Sequence, residues 1–265
     1  MNIENFYAQA DEKPLDKLVE DGGFCGIFRT IGCIGDSLSS GEFESLNNEG
    51  ITGWHDFYEY SWGQYMARTL GNKVYNFSKG GLTAKTFFET YADKCGAFSY
   101  DKVCQCYIIA LGVNDISSGI DIGDPKNIDP TKTNVDDTSF LRYYTDIVRN
   151  IKRRQPEAKI FLVTIPKSNN DAERSEKEDK FCDAIRSIKD IFENIYILDL
   201  RKYAPVFDEE FKRHFFLAGH MNPAGYMIFA KMIMSYIDYI IRKNPEDFVQ
   251  VGFMGTPYYN KNYKR

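Results

Sequence analysis

The sequence predicts an α/β fold: a three-layer, doubly wound sandwich around a mostly parallel five-stranded sheet. Three observations predict it. Five short apolar runs, at 28–34, 73–77, 104–111, 160–165 and 195–200, have the length and continuity of strands buried on both faces. The segments between them carry helical period, so strand and helix alternate, as a parallel sheet with crossover helices requires. A chain of 265 residues, 43% apolar and 27% charged, is ordinary globular sequence for one large core. We read 1–265 as a single domain, with its core at about 26–243, an N-terminal extension over 1–25 and a C-terminal tail over 244–265.

The elements follow in order. The first run ends in Gly35-Asp36-Ser37-Leu38, and an insert over 39–52 comes next, rich in Gly, Ser, Asn and Glu. Tyr58, Trp62, Tyr65, Met66 and Leu70 then repeat on one helix face, with Gly71 placed as a C-terminal cap. The second run leads into Gly80-Gly81-Leu82-Thr83, and the third into Gly112-Val113-Asn114-Asp115. A second insert spans 117–137; both inserts exceed the usual connection of about 2–6 residues. Phe140, Leu141, Tyr144, Ile147, Val148 and Ile151 form a helix face that Pro156 ends, and Phe181, Ala184, Ile185, Ile188, Ile191 and Phe192 form another. Asn222-Pro223 opens the last helix, which is apolar except for Lys231, Ser235, Asp238 and Arg242. We read those four as its solvent stripe. The tail aromatics Phe248, Phe253, Tyr258, Tyr259 and Tyr263 are expected to pack on something, a neighbouring subunit of a homo-oligomer being one candidate.

Composition excludes several functions. A net charge of −5 argues against a general nucleic-acid binder and against a surface held to anionic lipid. The N-terminus has early acids and no apolar core of a secretory leader, and no apolar run approaches the ~18 residues of a membrane span. A cytoplasmic protein is the expectation. Cys25, Cys33, Cys95, Cys104, Cys106 and Cys182 read as reduced, partly buried thiols. Cys104 and Cys106 share a strand face, but no His or Cys stands nearby at ligand spacing, so no metal site is expected. No Gly-x-Gly-x-x-Gly follows a strand and no Walker lysine motif occurs, which disfavours a nucleotide binder.

Four loops carry residues suited to chemistry. Ser37 stands just past the first strand, Gly80-Gly81 past the second, Asn114 past the third, and His220 just before the last helix. Each has a bland alternative: a turn, a glycine bend, an Asx turn, a helix entry. Together they converge, because a doubly wound sheet gathers these loops at one edge. They supply a nucleophile, two kinds of oxyanion donor and a base, the parts of acyl transfer. His55 and His214 read as surface or packing residues, though His55 follows the first insert and is within reach of a cleft.

The arrangement resembles the SGNH hydrolases, also called GDSL esterases. Gly35-Asp36-Ser37-Leu38 matches the first block, Gly81-Leu82-Thr83 the second, and Gly112-x-Asn114-Asp115 the third. His220-x-Asn222-Pro223-x-Gly225-Tyr226 matches the last, and the blocks lie in the family's order from Gly35 to Tyr226. The resemblance implies a flavodoxin-like SGNH fold and catalysis by Ser37 and His220. It implies an oxyanion hole of the Ser37 and Gly81 N–H groups and the Asn114 amide, with Asp36 and Asp115 in support. It implies no metal or organic cofactor, and a small-molecule ester as substrate.

One position departs from the pattern. The family's Asp-x-x-His motif has Leu217 where the acid belongs. Three readings follow: a backbone carbonyl near 217–219 accepts the His220 Nδ1–H and leaves a Ser–His dyad, which we favour; Asp199, Asp208, Glu209 or Glu210 folds in as the acid; or the protein is a weak or inactive relative that binds a ligand. Family substrates include acetylated carbohydrates, lysophospholipids and thioesters. The polar inserts favour a small acyl group on a polar alcohol. Trp54, His55, Phe57 and Tyr58 either stack on a sugar or form the core face of the next helix.

Overall fold

The computed structural model describes residues 2–263. Five strands form the central sheet: β1 (Thr30–Gly35), β4 (Lys73–Ser78), β5 (Cys106–Ala110), β6 (Lys159–Val163) and β7 (Ile195–Leu198). Their order is β4-β1-β5-β6-β7, and every neighbouring pair is parallel. Two small antiparallel hairpins stand outside it, β2 (Glu42–Leu46) with β3 (Thr52–Asp56), and β8 (Phe216–Leu217) with β9 (His220–Met221).

Side chains of the central strands alternate between two cores. Ile31, Cys33, Cys106, Ile108 and Phe161 face helices Trp62–Leu70 and Pro223–Lys243. Ile34, Tyr107, Ile109, Ile160 and Leu162 face helices Phe140–Arg154 and Ala172–Ser187. Burial on both faces is why these strands read as unbroken apolar runs. The helices begin where short polar side chains can satisfy free N–H groups: Ser61 accepts from Gln64 N, Ser139 from Arg142 N and Asn222 from Gly225 N. Gly71, at φ +63°, ends the first of them.

Two expectations are corrected, and one helix proves longer than its apolar face. The insert at 39–52 is not a loop but the first strand and turn of the β2–β3 hairpin. Helix Ala172–Ser187 starts nine residues before its first apolar marker, Phe181, because its opening turns are held by ion pairs, among them Arg174–Glu178. The polar stripe of the last helix is not solvated. Ser235 and Asp238 are buried; Val19 N–H donates to Ser235 Oγ at 3.0 Å and Phe24 N–H to Asp238 Oδ1 at 2.8 Å. Arg242 closes the stripe between Asp238 and Glu12. The N-terminal segment therefore covers the stripe with backbone donors. Part of the tail packs on its own chain: Phe248, Val251 and Met254 are buried in the core, and Arg29 Nη2 donates to the Met254 carbonyl at 2.7 Å.

Candidate active site

The carboxyl ends of β1, β4 and β5 place the first three blocks side by side. At the end of β1 a Cβ on Gly35 would lie 2.1 Å from Ser39 Oγ, so only glycine allows the chain to turn at once into the short helix Ser37–Ser40. Asp36 caps that helix, accepting from Leu38 N–H at 3.0 Å. Ser37 is its first residue, and the helix packs against β4 and β9. Among the described residues neither its N–H nor its Oγ has a hydrogen-bond partner.

After β4 the glycine pair divides its work. Gly81 sits at φ +76°, a conformation costly for any residue with a Cβ, and its N–H has no partner among the described residues. A Cβ on Gly80 would stand 2.0 Å from Glu42 Oε2, so Gly80 makes room for that carboxylate. After β5, Asn114 Nδ2 donates one N–H to the Leu82 carbonyl at 3.1 Å, which fixes the amide plane beside Gly81 and leaves its second N–H unbonded. Asp115 accepts from Ala84 N–H at 3.0 Å and ties the same two loops together.

These two aspartates are buried without a cation. Burial raises Asp36 to about 7, against the lowering effect of the Leu38 N–H and with the charge of Asp115 adding to it. Burial likewise raises Asp115 to about 6, opposed by the Ala84 N–H. Both fix loops: Asp36 caps helix Ser37–Ser40 and Asp115 holds the Ala84 N–H.

His220 is delivered by the β8–β9 hairpin, whose two-residue turn holds Ala218 at φ +53°, an uncommon conformation for alanine. Leu217 pairs with His220 across the hairpin, so position 217 is indeed beside the imidazole and is apolar. The Tyr226 hydroxyl shares its proton between the Glu42 carbonyl at 2.7 Å and the Ser37 carbonyl at 3.3 Å, tying the last helix to both the β2–β3 hairpin and the Ser37–Ser40 helix.

The favoured account of His220 is corrected. No backbone carbonyl takes its Nδ1. Glu44 Oε1 lies 2.6 Å from Nδ1 and also accepts the Gly219 N–H at 2.9 Å. A Cβ on Gly219 would come within 2.6 Å of that oxygen, so this approach too needs glycine. None of the four anticipated acids is involved: Asp199 is held by Arg186, Asp208 caps helix Glu209–Phe215, Glu209 meets Asn169, and Glu210 meets His214 through its carbonyl. On the other side of the ring, Glu42 Oε1 lies 3.2 Å from Nε2. Burial raises the Glu42 carboxyl, and His220 opposes that shift. Both glutamates come from one face of β2, inside the insert. Their signal in the sequence was Glu-x-Glu at strand spacing, beginning four residues after Leu38.

His55 lies on the opposite face of the hairpin with Ser45 Oγ at 2.8 Å, and His214 is exposed. Trp54 is not in the core of the next helix: it is on β3, 62% exposed, directly opposite Glu44 and therefore on the His220 side of the hairpin. An apolar cavity of about 190 Å³ adjoins the site, lined by Leu38, Val113, Ile165, Phe207 and Met221 among others. Among the described residues no group of His, Cys, Asp or Glu is placed to hold a metal ion.

Residues 33–228 match the model of the GDSL-like lipase/acylhydrolase family. No curated protein matches the chain by sequence. Solved structures share the fold at low identity. A family two carbohydrate esterase from Clostridium thermocellum, in complex with cellohexaose, is 16% identical, over 80% of this chain and 64% of that one, with a TM-score of 0.55. The acetyl xylan esterase AlAXEase is 18% identical over 78% and 99%, with a TM-score of 0.52. A lipase/acylhydrolase from Enterococcus faecalis is 15% identical over 79% and 95%, with a TM-score of 0.51.

Proposed function

The chain belongs to the GDSL-like lipase/acylhydrolase family, and from that premise we propose that it is a serine ester hydrolase releasing small acyl groups, acetyl foremost, from a polar alcohol such as a sugar. The observation that carries the mechanism is the set of idle donors. The N–H groups of Ser37 and Gly81 and the second N–H of Asn114 are unpaired, and the loops that hold them are fixed by Asp36, Asp115 and Leu82. Preorganised donors of this kind are each worth roughly 10²–10³ in turnover when they meet a developing oxyanion.

In the reaction Ser37 Oγ bonds to the ester carbonyl carbon while its proton passes to His220 Nε2. The carbonyl oxygen takes the negative charge within the three donors. Collapse breaks the bond to the alcohol, which leaves with the proton from Nε2. Water then repeats the two steps on the acyl-enzyme and frees the acid. For this Nε2 has to leave Glu42 and face Ser37.

The polar-alcohol assignment is supported by Trp54, an exposed aromatic face on the same side of the hairpin as Glu44. The carboxylates of Glu42, Glu44 and Asp56 on that hairpin also disfavour an anionic leaving group such as a phospholipid head. A second reading, a longer acyl chain, is favoured by the apolar cavity that opens beside Leu38 and Val113. Hydrolysis of p-nitrophenyl acetate, butyrate and octanoate by the parent and by Ser37→Ala tests both. Acetate turned over fastest, with the variant at background, is the expected outcome. Octanoate turned over fastest moves the substrate to lipids or thioesters. A parent as inactive as the variant returns the protein to a ligand-binding role.

A further inference from the structure

We infer that Glu44 is the acid that positions His220, a duty moved from the residue three before the histidine to a strand of the β2–β3 hairpin. The inference rests on the serine hydrolase reading above. Four observations carry it. The Glu44 to Nδ1 separation of 2.6 Å is that of a charge-assisted hydrogen bond. The same oxygen accepts the Gly219 N–H, so Glu44 is held by the turn that presents the histidine. A Cβ at position 219 would stand 2.6 Å from that oxygen, so it is the bare Cα of Gly219 that lets the oxygen in so closely. The position that an acid would otherwise occupy, opposite His220 in its hairpin, is filled by Leu217.

The chemistry assigns the two ring nitrogens different tasks. With Glu44 as acceptor, the neutral imidazole keeps its proton on Nδ1 and its lone pair on Nε2, the tautomer a general base needs. That proton stays on Nδ1 throughout; Glu44 stabilises the imidazolium that forms when Nε2 takes the serine proton. Glu42 cannot serve in its place, because an acceptor at Nε2 would hold the proton on the nitrogen that has to receive one. Glu44 is thus a positioning residue, and Glu42 is the group that Nε2 releases as the reaction begins. The charged neighbours of the ring are these two from β2, with Asp56 on β3 paired directly opposite Glu42.

The test compares the parent with Ser37→Ala, Glu44→Gln, Glu44→Asp and Glu42→Gln on p-nitrophenyl acetate from pH 5 to 9. Loss of the acid in a triad costs on the order of 10⁴ in turnover. Glu44→Gln is expected to lower kcat by about 10³–10⁴ with KM within about threefold, and to move the acid limb of the profile to lower pH, since the imidazolium loses its anion. Glu44→Asp is expected to recover part of kcat, and Glu42→Gln to cost at least about tenfold less than Glu44→Gln. A Glu44→Gln enzyme with parental kcat and acid limb, or a larger loss in Glu42→Gln, overturns the assignment. If Ser37→Ala keeps parental activity, the hydrolase reading itself fails and the assignment falls with it. ¹⁵N NMR of the parent needs no variant: Nδ1 protonated and Nε2 bare in the neutral ring supports Glu44, and the opposite tautomer overturns it.

Discussion

Two clusters of carboxylates flank the same sheet edge, and they differ in the basic side chain that faces them. In one, Arg201 donates to Glu178 at 2.8 Å and to Asp179 at 2.8 Å, with Ser175 taking further donors, and Arg174 shares Glu178 at 3.1 Å. Arg201 and Glu178 are each 3% exposed. In the other, Glu42 and Glu44 face His220. An arginine keeps its charge at any working pH, so the first cluster is fixed; the guanidinium beside Asp179 holds that carboxyl below its usual range. Histidine is not a permanent cation, so the second cluster lacks the fixed charge that holds the first. Asp36 and Asp115 form a third case, with no cation at all, and burial is the largest cause of their upward shift, with the charge of Asp115 adding to it at Asp36. The lesson is that burial of an acid does not by itself mark a functional site; the chemistry open to its partner has to be read beside it.

Variants can break this comparison. The largest effect is expected from His220→Ala, which should cost about 10⁴ or more in kcat for acetyl ester hydrolysis while moving the urea midpoint less than Arg201→Ala does, since Glu42 and Glu44 are less deeply buried than Glu178. A collapse of stability in that variant would make the site a structural pair like the first. Arg201→Ala should do the reverse. It strands a buried carboxylate and should cost about 3–5 kcal/mol in urea unfolding, with the kcat of the folded enzyme close to parental. Asp36→Asn sharpens the third case. Folded Asp36 keeps its proton up to about 7, whereas a free aspartate loses it near 3.8. Stability therefore falls as pH rises from about 4 to about 7, at up to about 1.4 kcal/mol per pH unit for this group. The variant keeps the cap and should flatten that fall in thermal unfolding between pH 4 and 8. The smallest effect is expected from Trp54→Ala. It should raise KM for an acetylated sugar by about fivefold, the worth of roughly 1 kcal/mol of ring contact, and raise it less for p-nitrophenyl acetate.

How much of this was legible in the sequence follows from how local each signal is. The five strands were readable because both faces are buried, which leaves continuous apolar runs such as 104–111. Ser37, Gly81, Asn114 and His220 were readable because each sits within a few residues of the end or start of an element, where short motifs carry the geometry. Glu44 was not. Its strand is five residues long, one face of it is acidic, and its partner is 176 residues away, so neither composition nor spacing linked it to His220. The buried stripe on the last helix was missed for a related reason. The groups that cover Ser235 and Asp238 are backbone N–H groups, and these have no signature in a sequence.

That covering has a consequence for how the chain is made. Val19 emerges from the ribosome 216 residues ahead of Ser235, and Phe24 214 residues ahead of Asp238. At ordinary elongation rates of about 5–20 residues per second, the early segment waits on the order of ten seconds or more before its partner exists. The helix it seals is also the one that begins at Pro223, just after His220, and inserts Tyr226 against the nucleophile helix and the glutamate hairpin. The nascent chain therefore carries Ser37, Gly81 and Asn114 for a further 106 residues before His220 is made, and the loops of the site come together only after the last helix has emerged.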